Sequence, residues 1–127
     1  MKVALDTNAY IDFLRGDPGR VEIVRKARRL YLPLFVLGEL RAGFAAGNRT
    51  AENLEILQRF LQSPRVSILL PDEQTTHHYA SIFVHLRENG TPIPGNDLWI
   101  AALSSQHGLA LCSSDAHFEK VPGLVRC

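Results

Sequence analysis

Four acidic residues have positions that suit a metal-dependent reaction. Asp6 directly follows an apolar run of three residues, and Asp115 comes shortly after a second apolar run that ends at Cys112. Glu39 is the only charged residue between positions 30 and 40, and Asp97 follows a stiff segment, 92–96, with two prolines and a glycine. Carboxylates that meet in a cleft repel one another, and divalent cations relieve that repulsion. Hard oxygen ligands favour Mg²⁺ or Mn²⁺, which activate water for attack on a phosphodiester.

Each acid also has a purely structural interpretation. Asp6 and Asp115 are both placed to cap the N-terminus of a helix, a position that aspartate favours. Asp97 stands at a predicted helix start, where the helix dipole stabilises a carboxylate whatever its role. Glu39 can lie at a solvent edge and pair with a neighbour such as Arg41. The recurrence of acids at equivalent places favours the functional interpretation.

Short apolar runs alternate with helical patterns along the chain, which predicts an α/β domain with a largely parallel sheet. The predicted strands are 3–5, 30–34, 66–70 and 109–112, with a last edge strand in the tail 121–127. The predicted helices are 9–14, a helix from 20, 35–46, 50–62, 72–89 and 97–106. Because sites in such sheets form at the carboxyl ends of the strands, Asp6 and Asp115 are expected at one edge.

Length and composition limit the possible classes of protein. A chain of 127 residues, 46% hydrophobic and 21% charged, fits a single globular domain over residues 1–127. No apolar stretch approaches the ~20 residues of a membrane span, and no export signal is seen, so we expect a cytoplasmic protein that does not bind membranes. Cys112 and Cys127 are expected to be reduced thiols.

The net charge of +1 argues against binding nucleic acid through bulk charge. Assigning four of the 13 acids to one metal site, however, leaves nine acids against 14 Lys and Arg on the remaining surface. A cluster formed by Arg25, Lys26, Arg28 and Arg29 is either a solvated helix face or a contact for RNA phosphates. Trp99 is expected to pack in the core rather than stack on bases.

Four motifs, in order and spacing, resemble the PIN-domain family, and specifically the VapC-type ribonuclease toxins of prokaryotic toxin–antitoxin pairs. The motifs are Leu5-Asp6-Thr7-Asn8, Leu37-Gly38-Glu39-Leu40-Arg41, Asn96-Asp97-Leu98-Trp99-Ile100-Ala101-Ala102 and Ser113-Ser114-Asp115-Ala116-His117-Phe118. The resemblance spans essentially the whole chain. It implies a three-layer α/β/α sandwich with a central, mainly parallel sheet of four or five strands.

The resemblance also implies the activity and the roles of the site residues. The implied activity is an endoribonuclease with a Mg²⁺ or Mn²⁺ site built from Asp6, Glu39, Asp97 and Asp115. Asp6 and Asp97 would be the most direct ligands, and Glu39 and Asp115 would complete the site through water. Residues expected to support these acids are Thr7, Asn8, Asn96 and Ser113. The implied partners are RNA, a small antitoxin protein and a second copy of the chain. His117 stands where the family often has a basic residue.

Two other functions stay open at this stage. A PIN-like module without catalysis would bind RNA or protein only, although retention of all four acids disfavours it. A phosphatase of the haloacid-dehalogenase type would use Asp6 as its nucleophile. That family requires a second aspartate two residues later, where this sequence has Asn8.

Overall fold

A computed structural model describes residues 1–127 and shows a sheet of four parallel strands flanked by six helices. The strands are β1 (Lys2–Leu5), β2 (Arg29–Pro33), β3 (Val66–Leu69) and β4 (Ala110–Cys112), in the spatial order β3-β2-β1-β4. The helices are α1 (Thr7–Leu14), α2 (Pro18–Lys26), α3 (Leu34–Ala46), α4 (Thr50–Leu61), α5 (Glu73–Glu88) and α6 (Gly95–Gln106). The predicted α/β class with a parallel sheet is confirmed.

The central strands are apolar because helices cover both faces of the sheet. Leu5, Leu30, Leu32 and Leu111 are each at most 1% exposed, and they belong to one continuous core. The register aligns Val3 with Leu30 on one side and with Ala110 on the other. The ends of β1 and β4 therefore lie side by side, which sets the residues that follow them next to each other.

Local signals place the helix ends close to their predicted positions. Asp6 caps α1 and Asp72 caps α5, each by accepting a hydrogen bond from a backbone N–H of the first turn. Gly108, with φ at 62°, lets the chain leave α6 and turn into β4. No helix has both the length and the apolar character needed to cross a membrane.

The structure differs from the sequence predictions at three places. The tail forms only an isolated parallel bridge, between Leu111 and Arg126, instead of a strand over 121–127. A 3₁₀ helix over Ala116–Lys120 was not predicted. The apolar spacing in the helix predicted over 72–89 also places Phe83 inward with Ile82 and Leu86. Phe83 is instead 44% exposed, because Ile82 and Leu86 occupy the buried face of α5.

Candidate active site

The carboxyl ends of the strands open into a small polar cleft of about 130 Å³. The residues that line it come from four separate parts of the chain: Asp6, Thr7, Asn8, Glu39, Asp97, Ile100 and Asp115. Six of the eight predicted site residues are thus brought together. Of the other two, Ser113 contacts Asp6, whereas Asn96 is exposed and its side chain makes no hydrogen bond within the protein.

Asp6 is the most buried of the four acids, with 5% of its surface exposed. The backbone N–H of Ala9 donates to Oδ1 over 2.8 Å, and the Ser113 hydroxyl donates to Oδ2. Burial raises the pKa of Asp6, and these two hydrogen bonds oppose that rise. Asp6 therefore caps α1 with one oxygen and is fixed at the cleft by the other, so its role as a helix cap does not remove it from the cleft.

Glu39 lies on α3 and is exposed toward the cleft. The Thr7 hydroxyl donates to Glu39 Oε1 over 2.8 Å, which ties α3 to the first residue of α1. Glu39 forms no ion pair with Arg41 or any other basic residue. The carboxylate is thus held by a neutral donor, with no basic side chain paired to it at the cleft.

Asp97 and Asp115 face each other across the cleft, and His117 lies between them. Asp97 lies in the first turn of α6, and Asp115 caps the 3₁₀ helix by accepting from the backbone N–H of His117 over 2.9 Å. The His117 Nδ1 lies 2.8 Å from Asp97 Oδ2 and 3.2 Å from Asp115 Oδ1. One donor atom from each of the three side chains lies within 4.8 Å of the others, which is a group able to hold a metal ion.

Sequence reasoning assigned no role in the site to His117. The available signal was its spacing, two residues after Asp115, which lets a tight turn bring the ring back over the carboxylate. The contact with Asp97 depends on how α6 packs near the end of β4. That packing is a tertiary feature that the local pattern does not reveal.

The cluster of Arg25, Lys26, Arg28 and Arg29 is not a neighbour of the cleft. Arg25 and Lys26 pair with Glu22, and Arg29 donates to the Pro64 carbonyl and the Ser67 hydroxyl. Because Arg29 begins β2, the cluster lies at the amino ends of the strands, opposite the acids. The interpretation as an RNA contact beside the acidic centre is wrong for this cluster.

Trp99 packs against aromatic neighbours. Its ring stacks on Phe35 with centroids 5.6 Å apart and lies 4.3 Å from the ring of Tyr79. These contacts join α3, α5 and α6 behind the cleft, so Trp99 braces the helix that carries Asp97. The predicted role in core packing agrees with these contacts.

The donor set fits a divalent cation. Four carboxylates supply hard oxygen donors, and the buried Asp6 has a raised pKa because its charge is partly desolvated. A cation would offset that charge and the mutual repulsion of Asp97 and Asp115. The residues present therefore suit a divalent metal ion that prefers oxygen donors, such as Mg²⁺ or Mn²⁺.

Residues 3–124 match the PIN domain. The chain belongs to the PIN-domain family. Ribonuclease VapC1 of Haemophilus influenzae strain R2866 is 32% identical over 111 residues, covering 84% of this chain and 78% of the relative. Ribonuclease VapC5 of Mycobacterium tuberculosis is 28% identical over 119 residues, covering 94% of this chain and 87% of the relative. The resemblance inferred from the four motifs is confirmed.

Solved structures carry the same PIN fold over nearly the whole chain. VapBC-1 from nontypeable Haemophilus influenzae superposes with a TM-score of 0.87 at 26% identity, covering 100% of this chain and 97% of the other. DNA-bound VapBC from Salmonella typhimurium superposes with a TM-score of 0.87 at 27% identity and the same coverages. Both similarities extend through the segments that supply the four acids of this PIN domain.

Proposed function

We propose that this protein is the toxin endoribonuclease of a toxin–antitoxin pair, and that it hydrolyses RNA phosphodiester bonds at the acidic cleft with Mg²⁺ or Mn²⁺. The observation that carries the proposal is the convergence of Asp6, Glu39, Asp97 and Asp115, from four parts of the chain, on one polar cleft. Relatives named ribonucleases support the same activity.

The protein's own groups fix the geometry of the reaction. Asp6 and Asp97 are the proposed direct ligands, and Glu39 and Asp115 complete the site through water. Ser113 and the N–H of Ala9 hold both Asp6 oxygens in place. A divalent ion held by these acids would lower the pKa of a bound water and would offset the charge that develops on the phosphate. No side chain needs to act as a nucleophile.

Other polar groups hold the remaining parts of the cleft. The Thr7 hydroxyl donates to Glu39 Oε1 and keeps the Glu39 side chain turned toward the cleft. Asn8 borders the cleft, and Asn96 immediately precedes Asp97. We propose that these two amides support the loops that carry the acids.

Unpaired arginines beside the cleft suit the RNA backbone. A groove of about 340 Å³ begins at Thr7 and Glu39 and is lined by Arg15. An adjoining groove of about 370 Å³ shares Arg15 and adds Arg49. Neither arginine forms an ion pair, so both are free to contact phosphates that extend from the cleft.

The second proposed partner is a small antitoxin protein. Solved relatives with this fold are VapBC complexes, some of them bound to DNA. An exposed carboxylate such as Glu39 at the cleft would accept a basic side chain from that partner. We also propose a homodimer, which light scattering of the purified chain tests directly.

The activity is tested with purified protein and total RNA. Cleavage is expected with Mg²⁺ or Mn²⁺, and it should stop in EDTA. Asp97→Asn, which keeps the size of the side chain but removes its charge, is expected to abolish cleavage. The matched control is Glu88→Gln, an exposed acid at the end of α5, which should cleave like the unmodified protein. Full activity of Asp97→Asn would contradict the assignment, and RNA binding without cleavage would favour the non-catalytic module.

A further inference from the structure

His117 presents a ring nitrogen to two of the four carboxylates that the proposed metal centre uses. Its Nδ1 lies 2.8 Å from Asp97 Oδ2 and 3.2 Å from Asp115 Oδ1. The ring is placed by its own backbone, because the N–H of His117 donates to Asp115 Oδ1 over 2.9 Å. The side chain is 47% exposed, so part of the ring is in contact with solvent. It nevertheless faces the acids.

The separations agree with those of donors around one metal ion. Adjacent donors of an octahedral centre lie roughly 3 Å apart when each is ~2.1 Å from the ion. The two distances from Nδ1, 2.8 Å and 3.2 Å, lie on either side of that value. All three donor atoms also lie within 4.8 Å of one another. His117 Nδ1 and Asp97 Oδ2 therefore have the spacing of two adjacent ligands of one ion.

The alternative is an ordinary hydrogen bond in which Nδ1–H orients Asp97. In the hydrogen bond, Nδ1 carries a proton and only the carboxylate contacts the ion. In the ligand hypothesis, Nδ1 has a lone pair and contacts the ion itself. The other four histidines, at positions 77, 78, 85 and 107, make no side-chain hydrogen bond or ion pair in this structure. His117 is thus distinguished by its position and not by a general tendency of histidines in this protein.

We propose that His117 Nδ1 is a direct ligand of the ion that Asp97 binds directly and Asp115 binds through water, and that this nitrogen makes the centre select Mn²⁺ over Mg²⁺. The inference rests on the metal centre of the proposed function. Mg²⁺ binds oxygen donors and loses its water reluctantly, whereas transition ions accept imidazole nitrogen readily. A centre of carboxylates alone would lack this source of selectivity.

Pulsed electron paramagnetic resonance of the Mn²⁺-loaded full-length chain tests ligation without relying on activity. The unmodified protein is expected to show hyperfine coupling from an imidazole ¹⁴N bound to Mn²⁺. The coupling should disappear in His117→Asn and persist in the matched control His107→Asn. His107 ends α6, about 15 Å along the helix from Asp97. His117→Gln provides a second variant if the first folds poorly.

Calorimetry tests the selectivity. Mn²⁺ is expected to bind the unmodified protein at least tenfold more tightly than Mg²⁺. In His117→Asn, Mn²⁺ affinity should fall about tenfold or more, with a change of less than about threefold for Mg²⁺. Equal losses for the two ions would overturn the selectivity. Binding of Mn²⁺ that requires Asp97 but shows no ¹⁴N coupling would overturn ligation by His117 and leave the proposed function intact. Failure of the unmodified protein to bind either ion would overturn both.

Discussion

Asp6 caps a helix and lines the cleft with different oxygens of one carboxylate. One oxygen caps α1 through Ala9, and the other accepts the hydroxyl of Ser113. The Ser113 hydroxyl in turn accepts the backbone N–H of Asp115 over 3.0 Å. A single serine thus links two of the four acids and fixes their relative positions.

Removing the Ser113 hydroxyl is expected to lower activity without unfolding the protein. Ser113→Ala should reduce kcat/KM on RNA about 10- to 100-fold, the usual effect of losing a group that orients a metal ligand. Ser113→Thr keeps the hydroxyl and should retain most of the activity. Ser114→Ala is the adjacent control, since Ser114 is exposed and receives its bond from Arg20, outside the cleft. Equal activity of Ser113→Ala and Ser114→Ala would contradict the linking role.

Tyr10 carries the one buried side-chain polar atom without a hydrogen-bond partner. Burial of this hydroxyl raises the pKa of Tyr10 to about 12. Because an unsatisfied buried hydroxyl disfavours folding, Tyr10→Phe should raise the free energy of unfolding by about 1 kcal/mol. Denaturant titration measures the change, with Tyr31→Phe at a half-buried site as the comparison. Destabilisation by Tyr10→Phe would mean that the hydroxyl has a partner.

At the scale of elements, each acid is positioned by the end of a strand or by a helix. Asp6 follows β1, Asp115 comes three residues after β4, and Asp97 lies in the first turn of α6. The rigidity of the cleft therefore depends on how firmly α6 is docked. Thr75 contributes to that docking from α5, since its hydroxyl donates to Gln106 Oε1 over 2.6 Å and accepts the Asp72 N–H over 2.9 Å.

Loss of the Thr75 hydroxyl is expected to destabilise the protein. Thr75→Val removes the hydroxyl that the Asp72 N–H and Gln106 Oε1 share, whereas Gln106 Nε2 still donates to Asp72 Oδ1, so the expected cost is about 1 kcal/mol. Thr76→Val is the matched control, because the exposed Thr76 hydroxyl donates only to Glu73 of the same helix. Thermal unfolding of the two variants measures the difference. Equal midpoints would show that the bonds between α5 and α6 contribute nothing.

Much of the site was predictable from sequence because parallel strands end at one edge. Asp6 and Asp115 follow the neighbouring strands β1 and β4, so their proximity follows from the topology. The cap at Asp6 was predictable for a different reason, since aspartate favours the N-cap position whatever the topology.

The remaining features depend on tertiary packing. The contact of His117 with Asp97 requires the 3₁₀ helix and α6 to meet. The exposure of Phe83 reflects the choice between two adjacent apolar faces of α5, which periodicity alone does not decide. The tail pairs through a single bridge at Arg126, although its composition resembles that of a strand.

At the scale of the whole molecule, the near-zero net charge conceals a separation of charges. The four acids of the cleft concentrate negative charge at the carboxyl ends of the strands, beside the unpaired Arg15 and Arg49. The cluster that begins at Arg25 lies at the other end of the sheet, where its charges are largely paired or used to hold the backbone. A divalent ion would neutralise much of the acidic end and leave a surface compatible with RNA.

Metal binding should stabilise the fold in a pH-dependent manner. Burial raises the pKa of Asp6, so ionised Asp6 disfavours folding at neutral pH, and this penalty disappears as the pH falls through the raised pKa. A bound ion offsets the same charge and contributes about 2.7 kcal/mol at a hundredfold excess over Kd. The increase in Tm on adding Mg²⁺ or Mn²⁺ is therefore expected to be largest near neutral pH and to shrink as the pH falls through the raised pKa of Asp6.

Thermal scans between neutral and acid pH, with and without the ion, measure the effect. Asp97→Asn is the comparison. The variant should show little or no increase in Tm with either ion. An increase of equal size in the variant, or one that grows toward acid pH, would contradict a metal centre at the cleft.

In the proposed reaction water, and not a hydroxyl of the RNA, would attack the phosphorus, and a divalent ion held by the four acids would lower the pKa of that water. In that reaction the bond from phosphorus to the 3′ oxygen breaks, and the leaving oxygen takes up a proton. Analysis of the product ends from a defined RNA cleaved in Mg²⁺ or Mn²⁺ tests this most directly, with Asp97→Asn purified in the same way as the control. We predict 5′-phosphate and 3′-hydroxyl ends that are absent with the variant. Ends carrying a 2′,3′-cyclic phosphate, or cleavage that survives in the variant, would contradict the claim.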